Sequence, residues 1–267
     1  MPAKPKLGQN FLNNAEAIQR IAESLGDLSG RTVVEIGPGA GAITTALVAR
    51  AAHVIAVELD PGLAAHLRTR FPVDRLTVHN QDVLRFDFTT AAAQAGHPLL
   101  VFGNLPYYIT SQILLRLFAA GTRGVLARAV VMMQREVADR LAAAPGIRDY
   151  GLLSATAQMN ARVETLFTLP PAAFSPPPDV FSTVLRLEFA PRFGELGVDP
   201  AGFDAFLKSC FAQKRKTLAN NLRAAGLSQD ALHAAWPTEI PPLARAESLA
   251  LEPMAQLYRA LKSRPTS

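Results

Sequence analysis

Val33-Val34-Glu35-Ile36-Gly37-Pro38-Gly39-Ala40-Gly41 sets a β-branched run directly before three glycines at alternate positions. The run reads as a buried strand and Ile43–Arg50 beyond it as an amphipathic helix, so the glycines make the turn of a βα unit. Glycine is needed where the backbone takes a positive φ or where a ligand approaches it closely, and the helix N-terminus beyond offers unpaired N–H groups.

Working outward, Val- and Ile-rich runs recur with helical stretches between them, which predicts a buried parallel sheet. Strands are expected at Thr32–Ile36, His53–Glu58, Leu76–His79, Leu99–Phe102 and Ala129–Gln134. Helices are expected at Gly62–Arg70, Ser111–Ala119 and Arg135–Ala143, then at Gly151–Asn160, followed by strands at Val163–Leu169 and Thr183–Phe189. The proline-rich stretch from Pro170 to Pro178 excludes helix and central strand and reads as a held loop. After Phe189 only helices are expected: Phe203–Phe211, Lys214–Ala224, Gln229–Trp236 and Pro253–Lys262. The expected fold class is α/β, a doubly wound Rossmann-like sheet over residues 1–190, with a small all-helical domain over residues 191–267.

Composition narrows the classes. The chain has 267 residues, 27 Lys+Arg against 22 Asp+Glu, 49% hydrophobic and 18% charged residues, which excludes a disordered polyelectrolyte. No run approaches the ~18 apolar residues that span a bilayer. Met1–Lys6 is basic but no apolar segment follows it, so no secretory signal is expected. The single cysteine, Cys210, excludes an intrachain disulfide and a cysteine-based zinc site and is expected to be buried and inert. A cytoplasmic, soluble protein is the expectation. The net charge of +5 is compatible with nucleic acid without pointing to it.

The spacing of the glycines separates ligands. A dinucleotide fingerprint reads G-x-G-x-x-G, whereas this turn reads G-x-G-x-G with a proline inside it, the pattern of S-adenosylmethionine sites. That spacing disfavours a nicotinamide-dependent dehydrogenase, although a plain βα turn remains an alternative for the motif alone. Glu58 closes the second strand, 17 positions after Gly41, where a carboxylate can accept both ribose hydroxyls. Asp82 follows the third strand and can accept from an adenine amine. Taken singly, each acid also fits a helix cap or a solvated loop.

After the fourth strand comes Asn104-Leu105-Pro106-Tyr107-Tyr108. The lone pair of an adenine exocyclic amine is delocalised into the ring. Acceptance of its hydrogens by Asn104 Oδ1 and the Leu105 carbonyl favours a pyramidal, nucleophilic nitrogen, and Tyr107 can stack on the base. Such a site works by positioning and electrostatics and needs no general base before attack. A proline turn with a capping Asn is the plainer alternative. Farther on, Lys208, Lys214, Arg215, Lys216 and Arg223 lie in a span free of acids, and Phe211–Arg223 within it reads as a basic helix with Phe211, Leu218 and Leu222 on its apolar side. It fits RNA phosphates or a solvated helix face. His53 and His79, in strands, read as packing residues.

The chain resembles the rRNA adenine N6-dimethyltransferases of the KsgA type, with the Erm methyltransferases as relatives. The resemblance rests on Gly8-Gln9-Asn10-Phe11-Leu12, Glu35-Ile36-Gly37-Pro38-Gly39, Val57-Glu58-Leu59-Asp60, Gln81-Asp82-Val83, Asn104-Leu105-Pro106-Tyr107, Gln134-Arg135-Glu136-Val137 and Phe174-Ser175-Pro176-Pro177-Pro178-Asp179-Val180-Phe181-Ser182. It implies that Asn10, Leu12, Gly37, Gly39, Glu58, Asp82 and Asn104 contact S-adenosylmethionine. It also implies that Tyr107 and Phe174 grip a flipped adenine beside Asn104, Leu105 and Pro106, and that Lys214, Arg215, Lys216 and Arg223 meet RNA. Read without the family, Asn10–Leu12 looks like a helix N-terminus and Phe174 like a core anchor of the proline loop. The chain departs from the family at Ala42-Ile43-Thr44 after the glycine turn, at Tyr108, where Asn is common, and at Phe181, where a polar residue is usual.

These readings converge on a 16S rRNA dimethyltransferase modifying two adjacent adenosines in the 3′-terminal hairpin loop, monomeric and with no metal or membrane partner. An Erm-type enzyme of large-subunit rRNA is the alternative within the class, and a non-enzymatic assembly or transcription factor on the same fold the alternative outside it.

Overall fold

The computed structural model describes residues 10–263, so Met1–Lys6, Gly8 and Gln9 lie outside the described residues. The chain forms two compact units: Met1–Ala138 with Ala161–Ala190, and Asp139–Asn160 with Pro191–Ser267. The first runs through β1 (Phe11–Leu12), α1 (Ala15–Ser24), β2 (Thr32–Ile36), α2 (Ala42–Arg50), β3 (His53–Glu58), α3 (Pro61–Arg70) and β4 (Leu76–Asn80). It continues with α4 (Phe88–Ala95), β5 (Leu99–Asn104), α5 (Thr110–Thr122) and β6 (Leu126–Gln134), leaves through α6 (Arg135–Ala142), and returns as β7 (Ala161–Leu169), β8 (Phe174–Ser175) and β9 (Ser182–Phe189).

The main sheet has the order β4-β3-β2-β5-β6-β9-β7, parallel from β4 to β6, with β9 antiparallel to both β6 and β7. Every residue of β2 is buried, which suits a parallel strand covered on both faces. From β2 the chain winds outward to β3 on one side, and β5 pairs on the other, so the glycine turn sits where the strand order reverses. Ligands of open α/β sheets bind at this position.

Local chemistry sets the helix starts. Asp60 accepts from the N–H groups of Gly62 and Leu63 and caps α3 at 2.8 and 3.0 Å. Asp87 does the same for α4 through Thr89 and Thr90, a helix that its alanine-rich sequence left unassigned. The N-terminal expectation is corrected. Asn14, not Asn10, caps the first helix by accepting from Ala17 N–H at 2.8 Å. Phe11 and Leu12 instead pair antiparallel with Ser175 and Phe174 of the proline-rich segment, an arrangement that supplies backbone partners to both stretches.

The second unit contains α7 (Leu152–Asn160), α8 (Pro200–Cys210), α9 (Leu218–Ala224), α10 (Gln229–Ala235) and α11 (Leu251–Lys262). Asp139–Asn160, placed by sequence in the first domain, belong here, because Ala143, Tyr150, Ala155 and Met159 share a core with Phe203, Leu207, Leu222 and Met254. Cys210 is fully buried in that core, and burial pushes its thiol up. Lys214, Arg215 and Lys216 are also corrected: they lie in a turn before α9, not on a helix. Thr217 caps α9 by accepting from Asn220 N–H, and the buried Asn221 amide donates back to the Cys210 and Gln213 carbonyls at 2.7 and 3.2 Å. Lys214, Arg215 and Lys216 in that turn are exposed. Among the described residues no helix is long and apolar enough to cross a membrane.

Candidate active site

One cavity lies at the carboxyl edge of β2, β3 and β5. Asn10, Leu12, Gly37, Gly39, Glu58, Asp82, Asn104, Leu105, Pro106 and Tyr107 all line it. The glycine turn forms one wall, with φ of +65° at Gly37, +59° at Gly39 and +86° at Gly41. At Gly39 space decides as well as φ: a Cβ there would lie 2.8 Å from the Phe11 ring. The turn is therefore bare backbone on which β1 closes.

Glu58 is buried at the end of β3, where one carboxylate oxygen accepts the Gly39 N–H at 3.0 Å and the other the Asp60 N–H at 2.9 Å. A carboxylate oxygen accepts more than one hydrogen bond, so both keep capacity for hydroxyls. Asp82 accepts from Leu84 N–H at 2.9 Å; it is the cap the sequence allowed and also a cavity residue. The Asn104 amide donates to the Asn10 carbonyl at 3.1 Å, which fixes the amide plane and leaves Oδ1 as an acceptor. Leu105 anchors the turn with its N–H on the Met132 carbonyl at 2.8 Å and its side chain buried. The Thr110 hydroxyl closes the turn on the Pro106 carbonyl at 2.9 Å.

Two placements depart from the rest. Phe174 is not part of the cavity wall: it is 3% exposed and sits in the core with Leu12, Ala173 and Val184, while its backbone pairs with Leu12. Lys214, Arg215, Lys216 and Arg223 belong to the second unit, all exposed; Lys214 donates to the Arg148 carbonyl at 2.9 Å, and Arg223 to Asn220.

Glu35, also on the wall, is a buried acid to which the sequence assigns no role. It is 1% exposed, and its Oε2 has no hydrogen-bond partner among the described residues. Burial pushes its carboxyl up to about 8; the Thr44 hydroxyl offsets this in part without a well-aligned hydrogen bond, and the Glu58 charge adds to the rise. An acid inside an otherwise apolar strand was the available signal. Together the bare turn, the buried Glu58 carboxylate, the half-buried Asp82 and the aligned amide suit a ligand carrying a ribose, an adenine and a cationic end. S-adenosylmethionine has all three, so the donor set fits it.

The profile of a family described as "Ribosomal RNA adenine dimethylase" matches residues 2–263. The ribosomal RNA small subunit methyltransferase A of Acidobacterium capsulatum is 58% identical over 263 residues, covering 98% of this chain and 92% of the relative. The protein of that name from Koribacter versatilis is 52% identical, covering 97% and 94%. The 23S rRNA methyltransferase ErmE superposes with a TM-score of 0.70 at 25% identity, covering 95% of this chain and all of that one. A dimethyladenosine transferase from Plasmodium falciparum shares the fold, with a TM-score of 0.76 at 23% identity, covering 92% and 95%. A profile matched from Asn10 at one cavity wall to the helices of the second unit, with relatives aligned over nearly their whole length, places this chain in the ribosomal RNA adenine dimethylase family.

Proposed function

We propose that the chain is an S-adenosylmethionine-dependent adenine N6,N6-dimethyltransferase of small-subunit rRNA, acting in the cytoplasm on two adjacent adenosines of the 3′-terminal hairpin loop. The observation that carries this is the Asn104 amide, locked by its bond to Asn10 so that Oδ1 and the rigid turn after it serve as acceptors beside Tyr107.

S-adenosylmethionine, when bound, supplies a methyl group already activated on a sulfonium. Glu58 would hold the ribose hydroxyls, Asp82 the adenine amine, and the Gly37–Gly39 backbone the amino-acid end. Asn104 Oδ1 and the Leu105 carbonyl accept the two hydrogens of the target amine, turning its lone pair out of conjugation. Tyr107 holds the flipped base by its face, a contact of about 1–3 kcal/mol that offsets extrusion. Phe174 serves as a second ring only by leaving its core position. The cations at Lys214–Lys216 and Arg223 would bind RNA phosphates.

Incubating the protein with under-methylated small ribosomal subunits and mapping N6,N6-dimethyladenosine tests this reading. Dimethylation of adjacent adenosines near the 3′ end of 16S rRNA supports it. Label in large-subunit rRNA would favour an Erm-type activity, to which the ErmE likeness points, and no label would favour an RNA-binding factor without chemistry.

A further inference from the structure

Beside the cavity, two large aromatic side chains face solvent. Tyr108, on the cavity wall, is 62% exposed, and Phe181 is 45% exposed. Their sequence neighbours are tied to each other: the Tyr107 and Ser182 hydroxyls are hydrogen-bonded at 3.0 Å. The turn after β5 and the start of β9 are therefore held together at the carboxyl edge of the parallel strands. Arg135, the first residue of α6 just after β6, joins the same edge, with its N–H donating to the Phe181 carbonyl at 2.9 Å and its guanidinium 5.3 Å over the Phe181 ring. Among the described residues no carboxylate forms a salt bridge with Arg135.

Isolated exposed apolar residues need no explanation. Two rings beside one cavity, one carrying an unneutralised guanidinium on its face, are a different object. A flat π-face with an adjacent cation is what proteins use to stack unpaired bases while holding the neighbouring phosphate. Val180 beside Phe181 is also exposed, but the cation on the ring face suits a base and its phosphate better than an apolar protein surface, and the strand of RNA that delivers a base to the cavity must cross this rim. We infer that Tyr108 and Phe181, with Arg135 laid on the Phe181 ring, form a stacking platform for the unpaired nucleobase flanking the target adenosine. The inference rests on the reading of the cavity as an adenosine site. The platform acts on substrate binding and register, and the methyl transfer itself stays with Asn104 and its turn.

Steady-state kinetics of the full chain on under-methylated small subunits, with S-adenosylmethionine saturating, test the platform. Phe181→Ser raises KM for the subunit at least about 5-fold, with kcat within about 2-fold, cofactor Kd unchanged and the same thermal midpoint; Phe181→Trp restores KM. Ultraviolet cross-linking of the wild-type complex joins the peptide carrying Tyr108 or Phe181 to the nucleotide next to the methylated adenosine. Wild-type turnover with an unchanged Phe181→Ser KM, failure of Phe181→Trp to restore it, or cross-links only to distant nucleotides overturn the platform alone. A wild-type protein that methylates no adenosine overturns the adenosine-site reading itself, and the platform falls with it.

Discussion

The hydroxyls of Tyr107 and Ser182 lie 3.0 Å apart although 75 residues separate them in sequence. Ser182 is buried, and the pair fixes the tilt of the ring that faces the cavity. Tyr107→Phe keeps the ring and strands the Ser182 hydroxyl, so it lowers stability by about 1 kcal/mol and transfer only a few-fold. Tyr107→Ala also removes base stacking, about 1–3 kcal/mol, and lowers kcat/KM by about 5- to 150-fold. Thermal melts and transfer kinetics on both variants separate the two contributions.

At Gly39 a Cβ meets the Phe11 ring at 2.8 Å, and φ is +59°. Gly39→Ala therefore destabilises the chain by about 1–2 kcal/mol through backbone strain and pushes β1 off the turn, raising the cofactor Kd. Phe11→Ala in the same chain relieves the clash but not the strain. A double-mutant cycle by calorimetry is expected to give a favourable coupling; strict additivity would show that Phe11 does not lie over the turn in solution.

Glu35 carries a pH prediction. Its folded-state pKa is raised from 4.5 to about 8, chiefly by burial, so the folded chain holds that proton more tightly than the unfolded one. The contribution is fully present below about pH 4.5 and is lost as pH rises toward about 8. Glu35→Gln cannot ionise. Its stability relative to wild type should thus grow between pH 5 and pH 8, by an amount on the order of a few kcal/mol. Melting curves across that range check the sign, and a flat difference would show that Glu35 is ionised in the folded protein.

Phe174 separates packing from substrate contact. Phe174→Ala empties a buried site and costs about 3–5 kcal/mol. Phe174→Leu retains most of the packing, so a large loss of kcat with an unchanged melting temperature would mean that the ring reaches the base during the reaction. Retained kcat would leave Phe174 as a core residue only.

Replacing Lys214, Arg215 and Lys216 together by Ala lowers RNA affinity without changing cofactor affinity. If each cation meets one phosphate, the slope of log affinity against log salt falls by roughly 2 to 3. Titrations at several salt concentrations read it.

What the sequence made legible follows from how far each signal reaches. The parallel strands were visible because Val54–Val57 and Leu99–Phe102 are apolar runs buried on both faces, and Val33–Ile36 is one broken only by Glu35, and such runs need no knowledge of their neighbours. Gly37, Glu58 and Asn104 were visible because they end those strands, whereas Asn10 and Leu12 came only from the family resemblance. The β1–β8 pair was not, since each strand has two residues and exists only through a partner more than 160 positions away. The same pairing hides Phe174. The Lys214–Lys216 turn was misread as helix because its geometry is set by the Asn221 side chain, while charge and apolar spacing alone suit a helix. Asp139–Asn160 changed units because Tyr150 and Met159 are core residues of the helices that follow, a choice that local pattern cannot express.

In the proposed reaction Asn104, held by Asn10, aims the target amine. The most direct test of this is single-turnover methyl transfer to under-methylated small subunits by Asn104→Ala, with S-adenosylmethionine binding measured on the same preparation by calorimetry. Transfer is expected to be abolished with the cofactor Kd raised only modestly; turnover retained at near wild-type rate would contradict this role of Asn104.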